Sequence, residues 1–394
     1  MIKFIKKLMK KIISSMMSLL PIENMIIFES RPDFSCNTYP VFELLRKKLK
    51  NYKFVWFVHS DKCILPIHGE YAILNIDPKF YWERLRNEYY LSRAKALIFS
   101  NTILRKRRKN QLSLFLSHGS PGKNTKHFYA KEKFGAYVNV QSHFFDDKLS
   151  SVEPGKLVYL GYPRCDYLYA KNNVDTGKLL WGIPKAKFVL WMPTYRQHKS
   201  NSDKGIVNDV FNHTFNRIGM PLFYSVEALS DFNAFLADID MHILYKPHFA
   251  QDVSIIKSSA LSNIHIIYDA DFLTKGVQLY EIMASSQALI TDYSSVFFDY
   301  LLLDRPIAVT IDDLSEYAAK LGFSYDLEAF HEEAAIRVIN INELKTFFID
   351  LTLNKDLKSE GRKIIRDITN MHQDGKSTER TVSFILEKIN LSKD

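Results

Sequence analysis

The sequence is poor in cysteine, glycine and proline, and it lacks the motifs that commonly announce a nucleotide or metal site. Cys36, Cys63 and Cys165 are the only cysteines in 394 residues. They are far apart and odd in number, and no Cys-x-x-Cys pair occurs. That excludes a disulfide framework and a zinc knuckle and suits a reducing cytoplasm. With 14 glycines and 13 prolines against a hydrophobic content of 46%, the chain reads as folded rather than disordered. There is no Walker A loop, no G-x-G-x-x-G, no H-x-x-H and no cluster of carboxylates, so no dedicated metal site is expected. No internal repeat or low-complexity tract appears.

What the chain does have is positive charge. The net charge is +9, which favours an anionic partner: a membrane, a nucleic acid or a phosphate-rich substrate. The charge concentrates in two places. The first is MIKFIKKLMKKIISSMMSLL, with five lysines in its first eleven residues. On a helical wheel Lys3, Lys6, Lys7, Lys10 and Lys11 share one arc, and Ile5, Leu8, Met9, Ile12, Met16 and Leu20 share the opposite one. That segregation is the pattern of an interfacial helix, in which each lysine near anionic headgroups contributes about 1 kcal/mol. No small-residue cleavage site follows, and the uncharged stretch after Lys11 is too short to span a bilayer. Residues 1–22 are therefore expected on an anionic membrane surface, with a helix packed on the protein as the alternative. The second place is Arg105-Lys106-Arg107-Arg108-Lys109. No aromatic residue interleaves these cations, as nucleic-acid binders often require, so nucleic acid is not an expected partner. A solvated loop facing headgroups or an anionic polymer is one reading, and a plain solubilising loop the other.

The length suits two domains. Apolar runs at Met25–Glu29, Phe54–Val58, Ala96–Phe99, Leu112–Leu116 and Leu157–Leu160 read as strands, with helical stretches such as Tyr39–Leu49 and Phe80–Arg93 between them. A second series follows at Phe188–Met192, His242–Tyr245, Ile264–Tyr268, Ala288–Thr291 and Ile307–Thr310. Helices around Val226–Ala237, Gln278–Ser285 and Ser295–Leu302 separate these strands. Alternation of this kind predicts an α/β fold with two Rossmann-like domains on parallel sheets, over residues 23–176 and 177–394. From about Lys355 the chain reads as two closing helices, the second over Ser377–Ile389.

In such sheets ligands bind at the carboxyl ends of strands. Five strand ends carry polar groups. Leu116-Ser117-His118-Gly119-Ser120-Pro121-Gly122-Lys123 offers a histidine whose ordinary pKa is near neutral, hence a candidate base, or else a turn with a structural histidine. Gly161-Tyr162-Pro163-Arg164 offers a guanidinium for a phosphate, or an arginine exposed after a turn. Pro193, Thr194 and Arg196 follow a strand, as do Lys246, Pro247 and His248. Lys246 suits phosphate neutralisation, and His248 suits either that or proton donation to a leaving group. LITDYSSVFFDYLLLDRP places Ser294 and Ser295 at a helix start, where one serine is explained by capping. Two serines with Asp292 and Asp299 suit a phosphate and a ligand hydroxyl.

In this order the motifs resemble those of the CDP-glycerol glycerophosphotransferase family, the teichoic-acid primases and polymerases. FES with Asn37 resembles the family's first strand and helix, SHGSPGK its HGTPLK, GYPRCD its GYPRND and MPTYR its APTWR. YKPH resembles the strand bearing its second histidine, ITDYSSVFFDYLLLDRP its signature and QDGKSTER its DGKASER. The resemblance runs from about Phe28 to the C-terminus. It implies a GT-B fold with the active site in a cleft between two domains and the donor on the C-terminal one. It implies that His118 takes the acceptor proton, that the hydroxyl attacks the donor β-phosphate and that CMP leaves. His248 would serve the leaving phosphate or the donor. Gly119, Ser120, Pro121, Gly122, Arg164, Pro193, Thr194, Lys246, Pro247, Ser294, Ser295 and Asp299 would line the donor site. The implied partners are CDP-glycerol or CDP-ribitol, a lipid-linked acceptor and the cytoplasmic face of the cell membrane. No resident cofactor is implied. A divalent ion such as Mg, brought in with the diphosphate, stays open, as does a homo-oligomer. Ser117, Ser120, Gly122 and the His248-Phe249 pair depart from the family pattern and leave the acceptor and the polyol open. The alternative function is a GT-B glycosyltransferase that uses a nucleotide sugar.

Overall fold

The computed structural model describes residues 16–17, 19–59, 71–121, 135–170, 174–194, 218–248, 251, 253–320, 322–323 and 325–391. The chain divides into two compact units. One takes the described residues of Met1–His118, Phe128–Asp166 and Met371–Asp394, and the other those of Gly119–His127 and Tyr167–Asn370.

The first unit is built on β1 (Met25–Glu29), β2 (Lys53–Val58), β3 (Ala72–Asn75), β4 (Ala96–Phe99), β5 (Leu112–Phe115), β6 (Tyr137–Asn139) and β7 (Leu157–Val158). They pair in the order β3-β2-β1-β4-β5-β6-β7, each neighbour parallel. The second unit is built on β8 (Phe188–Trp191), β9 (His242–Tyr245), β10 (Ile264–Ile266), β11 (Ala288–Thr291), β12 (Ile307–Thr310) and β13 (Ile336–Val338), in the order β10-β9-β8-β11-β12-β13, again all parallel. Parallel strands covered on both faces need apolar side chains on both, which is why MIIFE, ALIF, FVLW and ALIT are buried at every position. Numbered within its own unit, each sheet contains the order 3-2-1-4-5-6. The connections reverse direction between its first and fourth strands, the point at which sheets of this kind bind ligands at the carboxyl ends. These places are β1/β4 in the first unit and β8/β11 in the second.

The division departs from a single cut after residue 176. The second unit begins its main segment at Tyr167, and the last helix, Ser377–Leu391, belongs to the first unit. There it lies against the helix Thr38–Lys48, and Phe384 meets Tyr137 edge-on at 5.1 Å. The Asp166 carboxylate starts this helix by accepting from the backbone N–H groups of Ser377 (2.9 Å) and Thr378 (2.7 Å), two of the amides that a helix start leaves without partners. Burial pushes the Asp166 carboxyl above its ordinary value, and the Thr378 and Ser377 hydrogen bonds oppose that rise. Strands β3, β6 and β13 have no counterpart in the sequence reading. Residues 1–15 lie outside the described residues, so most of the segment expected on a membrane does too. Among the described residues no helix is long and apolar enough to cross a membrane.

Candidate active site

In the first unit β5 leads into Leu116, Ser117 and His118. Ser117 holds φ 60°, the left-handed region, which costs a non-glycine residue on the order of 1–2 kcal/mol. Two buried side chains hold that backbone. Asn37 Nδ2 donates to the carbonyls of Leu116 (3.1 Å) and Ser117 (2.8 Å), and Arg164 Nη1 donates to the carbonyl of His118 (2.6 Å). The Arg164 N–H in turn donates to Asn37 Oδ1 at 3.1 Å. Three segments more than 40 residues apart thus fix one turn, and the His118 side chain stands exposed at its tip. This corrects the expectation for Arg164. It is 6% exposed, and its guanidinium positions the histidine loop rather than reaching out for phosphate.

The neighbouring motifs make a joint. Asn139 donates to the Gly161 carbonyl (2.7 Å) and accepts from the Leu160 N–H (3.0 Å), while Arg380 Nε donates to the Leu160 carbonyl (3.0 Å) and pairs with Asp374 (2.7 Å). Gly161 has φ +74°, and a Cβ there would overlap Ser377 Oγ, so glycine is required on both counts. Sequence reading missed another pair at the switch point of this sheet. The Glu29 carboxylate, fully buried at the end of β1, accepts from the Asn101 N–H (3.0 Å) and lies 2.8 Å from His59 Nε2. The available signal was a charged residue closing an otherwise apolar strand.

In the second unit β8 and β11 are neighbours, so their exits meet. The two Asp292 oxygens accept the Thr194 N–H at 2.8 and 2.9 Å, and Thr291 Oγ1 donates to the Met192 carbonyl at 2.8 Å. Asp292 is 1% exposed, so it braces this junction and fixes Pro193 and Thr194 beside Ser294 and Ser295. Both serines are half-buried. Ser295 starts the short helix Val296–Tyr300 in a right-handed helical conformation, and its side chain makes no capping hydrogen bond. The capping explanation therefore does not account for that hydroxyl. Asp299, expected at the ligand, is fully buried inside the helix and accepts from Tyr280 Oη, so its place is a brace beneath the turn. From β9 the Lys246 N–H donates to the Trp191 carbonyl at 2.9 Å, and its Nζ pairs with Asp269 at 2.8 Å, a partner not foreseen in the sequence. Pro247 is buried and His248 half-buried, its carbonyl accepting from the Gln251 N–H at 2.9 Å.

Gly119 is half-buried, while Ser120 and Pro121 are buried, and the Ser120 hydroxyl has no hydrogen-bond partner among the described residues. Gly122 and Arg196 lie outside the described residues. Among the described residues no three His, Cys, Asp or Glu side chains converge to hold a metal ion.

The chain is similar to known proteins. The chain is 26% identical over 369 residues to a teichoic acid poly(glycerol phosphate) polymerase of Bacillus subtilis, covering 83% of this chain and 45% of that one. It is 26% identical over 245 residues to a teichoic acid ribitol-phosphate primase of Bacillus spizizenii, covering 59% and 54%. The chain thus spans about half the length of these two relatives. The solved structure of the wall teichoic acid polymerase TagF superposes with a TM-score of 0.74 at 19% identity, over 100% of this chain and 97% of that one, which shows a common fold. The model of one family matches residues 12–387, nearly the whole sequence, and the chain belongs to that family: the CDP-glycerol:poly(glycerophosphate) glycerophosphotransferases.

Proposed function

We propose that this chain transfers glycerol phosphate, or a related polyol phosphate, from CDP-glycerol to a hydroxyl of a lipid-linked acceptor, releasing CMP, in teichoic-acid or capsular polymer synthesis. The observation that carries the reading is the bracing of Thr194 by Asp292, which sets two polar strand exits side by side at the switch point of the second sheet. Family membership and the relatives' names support the donor class.

The chemistry needs positioning and charge neutralisation more than covalent help. His118 accepts the proton of the acceptor hydroxyl. The acceptor oxygen forms a bond to the donor β-phosphorus, and the bond from that phosphorus to the bridging oxygen breaks. CMP leaves with the bridging oxygen and its electron pair. His248 steadies that leaving phosphate, with Lys246 adding positive charge. Ser294, Ser295, Thr194 and the Gly119–Pro121 backbone hold the donor phosphates, and Pro193 and Pro247 shape the walls. A divalent ion, where one takes part, arrives on the donor diphosphate. The enzyme works at the cytoplasmic face of the cell membrane, held there in part by residues 1–22.

The test is to incubate the protein with labelled CDP-glycerol, CDP-ribitol and a panel of nucleotide sugars in the presence of defined lipid acceptors, with and without a chelator. Polyol phosphate on the acceptor together with CMP is the expected result. Turnover of a nucleotide sugar alone would overturn the reading.

A further inference from the structure

One face of the first unit is assembled from three segments that the proposed chemistry does not use. The helix Tyr81–Arg93 is preceded by Phe80, and Phe80, Tyr81 and Trp82 are 60%, 57% and 58% exposed. Three consecutive aromatic side chains left in water are costly by the area rule for apolar surface, and exposed patches of this kind mark binding surfaces. They are ordered against one another: the Phe80 and Trp82 rings stack at 6.5 Å, and the Arg86 guanidinium sits over Trp82 at 5.4 Å.

The basic run is tied to the same helix. Arg107 grips Glu88 of this helix through two 2.7 Å hydrogen bonds, which anchors the Arg105–Lys109 loop on it. Arg108 reaches back to the carbonyls of Met17 (3.3 Å) and Leu20, and Arg93 at the helix end donates to the Pro21 carbonyl (3.1 Å) and pairs with Glu23 (2.7 Å). So two of the five consecutive cations are structural ties, and Arg108 holds the segment of Met17 and Leu20 against the basic loop. That segment exposes Met16 (64%) and Leu19 (85%). Next to the aromatics in sequence Lys79, Arg84 and Arg86 are exposed, and so are Arg105 and Lys109 on the loop tied to this helix. Of the nearby carboxylates, Glu88 is paired with Arg107, Glu23 with Arg93, and Glu83 accepts from the Phe80 N–H, leaving Asp77 exposed.

We propose that this face, with Phe80, Tyr81 and Trp82 as its anchors, docks on an anionic lipid surface. Rings with an apolar body and a polar or cation-bearing rim suit the headgroup layer, and the surplus cations suit anionic headgroups. The proposal extends membrane contact from residues 1–22 to a folded surface, and it needs no statement about phosphotransfer.

Trp82 makes it measurable, because Trp56 and Trp191 are fully buried and Trp181 is half-buried. Full-length protein is mixed with vesicles of phosphatidylglycerol or phosphatidylcholine that carry brominated acyl chains. Tryptophan fluorescence should be quenched on phosphatidylglycerol, less so at high salt, and the quenching should vanish in Trp82→Phe. Partition of a Phe80→Ser/Tyr81→Ser double variant should fall at least about tenfold with an unchanged circular dichroism spectrum, since both side chains are exposed and support no core. Quenching that survives in Trp82→Phe would overturn the proposal. So would undiminished partition of the double variant, which would leave binding to residues 1–22 alone. Self-association that the double variant abolishes, without vesicle binding by the parent, would assign the face to a second copy instead.

Discussion

The two units share a strand order and differ in how they finish it. In the first, several polar residues at and beside the strand exits are drawn inward. Glu29, Asn37 and Arg164 are all buried and hold backbone around them, while the His118 side chain is exposed. In the second, the carboxylates Asp292 and Asp299 are buried braces, while a set of small and cationic groups stays half-open: Thr194, Lys246, His248, Ser294 and Ser295. One edge presents the exposed His118 ring on a braced turn, and the other a spread of donors. The first suits moving one proton, and the second suits holding a polyanion. The same scaffold therefore yields opposite edges according to which side chains are drawn into the packing.

Substitutions should separate braces from presented groups. The largest effect is expected for His118→Ala, which should lower kcat by about 10²–10⁴-fold while leaving the unfolding midpoint in place, because the ring is exposed. Full turnover by this variant would remove His118 as the base. Arg164→Met should do both kinds of damage. Loss of the charge-assisted bond to the His118 carbonyl should cost about 2–3 kcal/mol in urea unfolding and should also reduce kcat, with the donor KM little changed.

Acid should act on the second unit. Burial holds His331 at about 3 against the ordinary 6.5, so it is neutral when folded. As pH falls below 6.5 the unfolded chain binds a proton that the folded chain does not, and stability should drop by about 1.4 kcal/mol per pH unit until pH nears 3. His265, lowered by burial and by His242 to about 4, adds in the same direction. Urea midpoints at pH 7, 6 and 5 for the parent and for His331→Leu would show the slope and its loss. The smallest effect is expected for Ser294→Ala, a rise in donor KM of up to about tenfold, near 1.4 kcal/mol, with stability unchanged within about 0.5 kcal/mol.

The architecture was legible because central parallel strands leave continuous apolar runs. Met25–Glu29, Ala96–Phe99, His242–Tyr245, Ala288–Thr291 and Ile307–Thr310 stand at the same bounds in sequence and structure. The strands that escaped are short and flank the sheet centres. The first two residues of AILN and the first of YVN are only half-buried, and IRV carries the exposed Arg337, so their patterns fade into the loops beside them. The strand exits were legible as places but not as directions. A polar residue after an apolar run looks the same whether it turns inward, as Arg164 and Asp299 do, or outward, as His118 does. That choice is made by partners distant in sequence: Asn37 is 127 residues from Arg164, and Tyr280 lies 19 from Asp299. The Glu29–His59 pair was missed for the same reason.

The last helix has a consequence for how the protein is made. Because Ser377–Leu391 completes the first unit, nearly all of the second unit emerges from the ribosome before the first has all its parts. The main segment of the second unit runs unbroken from Tyr167 to Asn370, so that unit can close its own core as soon as this stretch is out. The first must keep a partly covered helix waiting for more than 300 residues of further synthesis, a long loop to close. Premature release should leave a folded second unit beside a first unit with the surface of Thr38–Lys48 uncovered. That is the state in which chaperone capture and degradation should be most frequent.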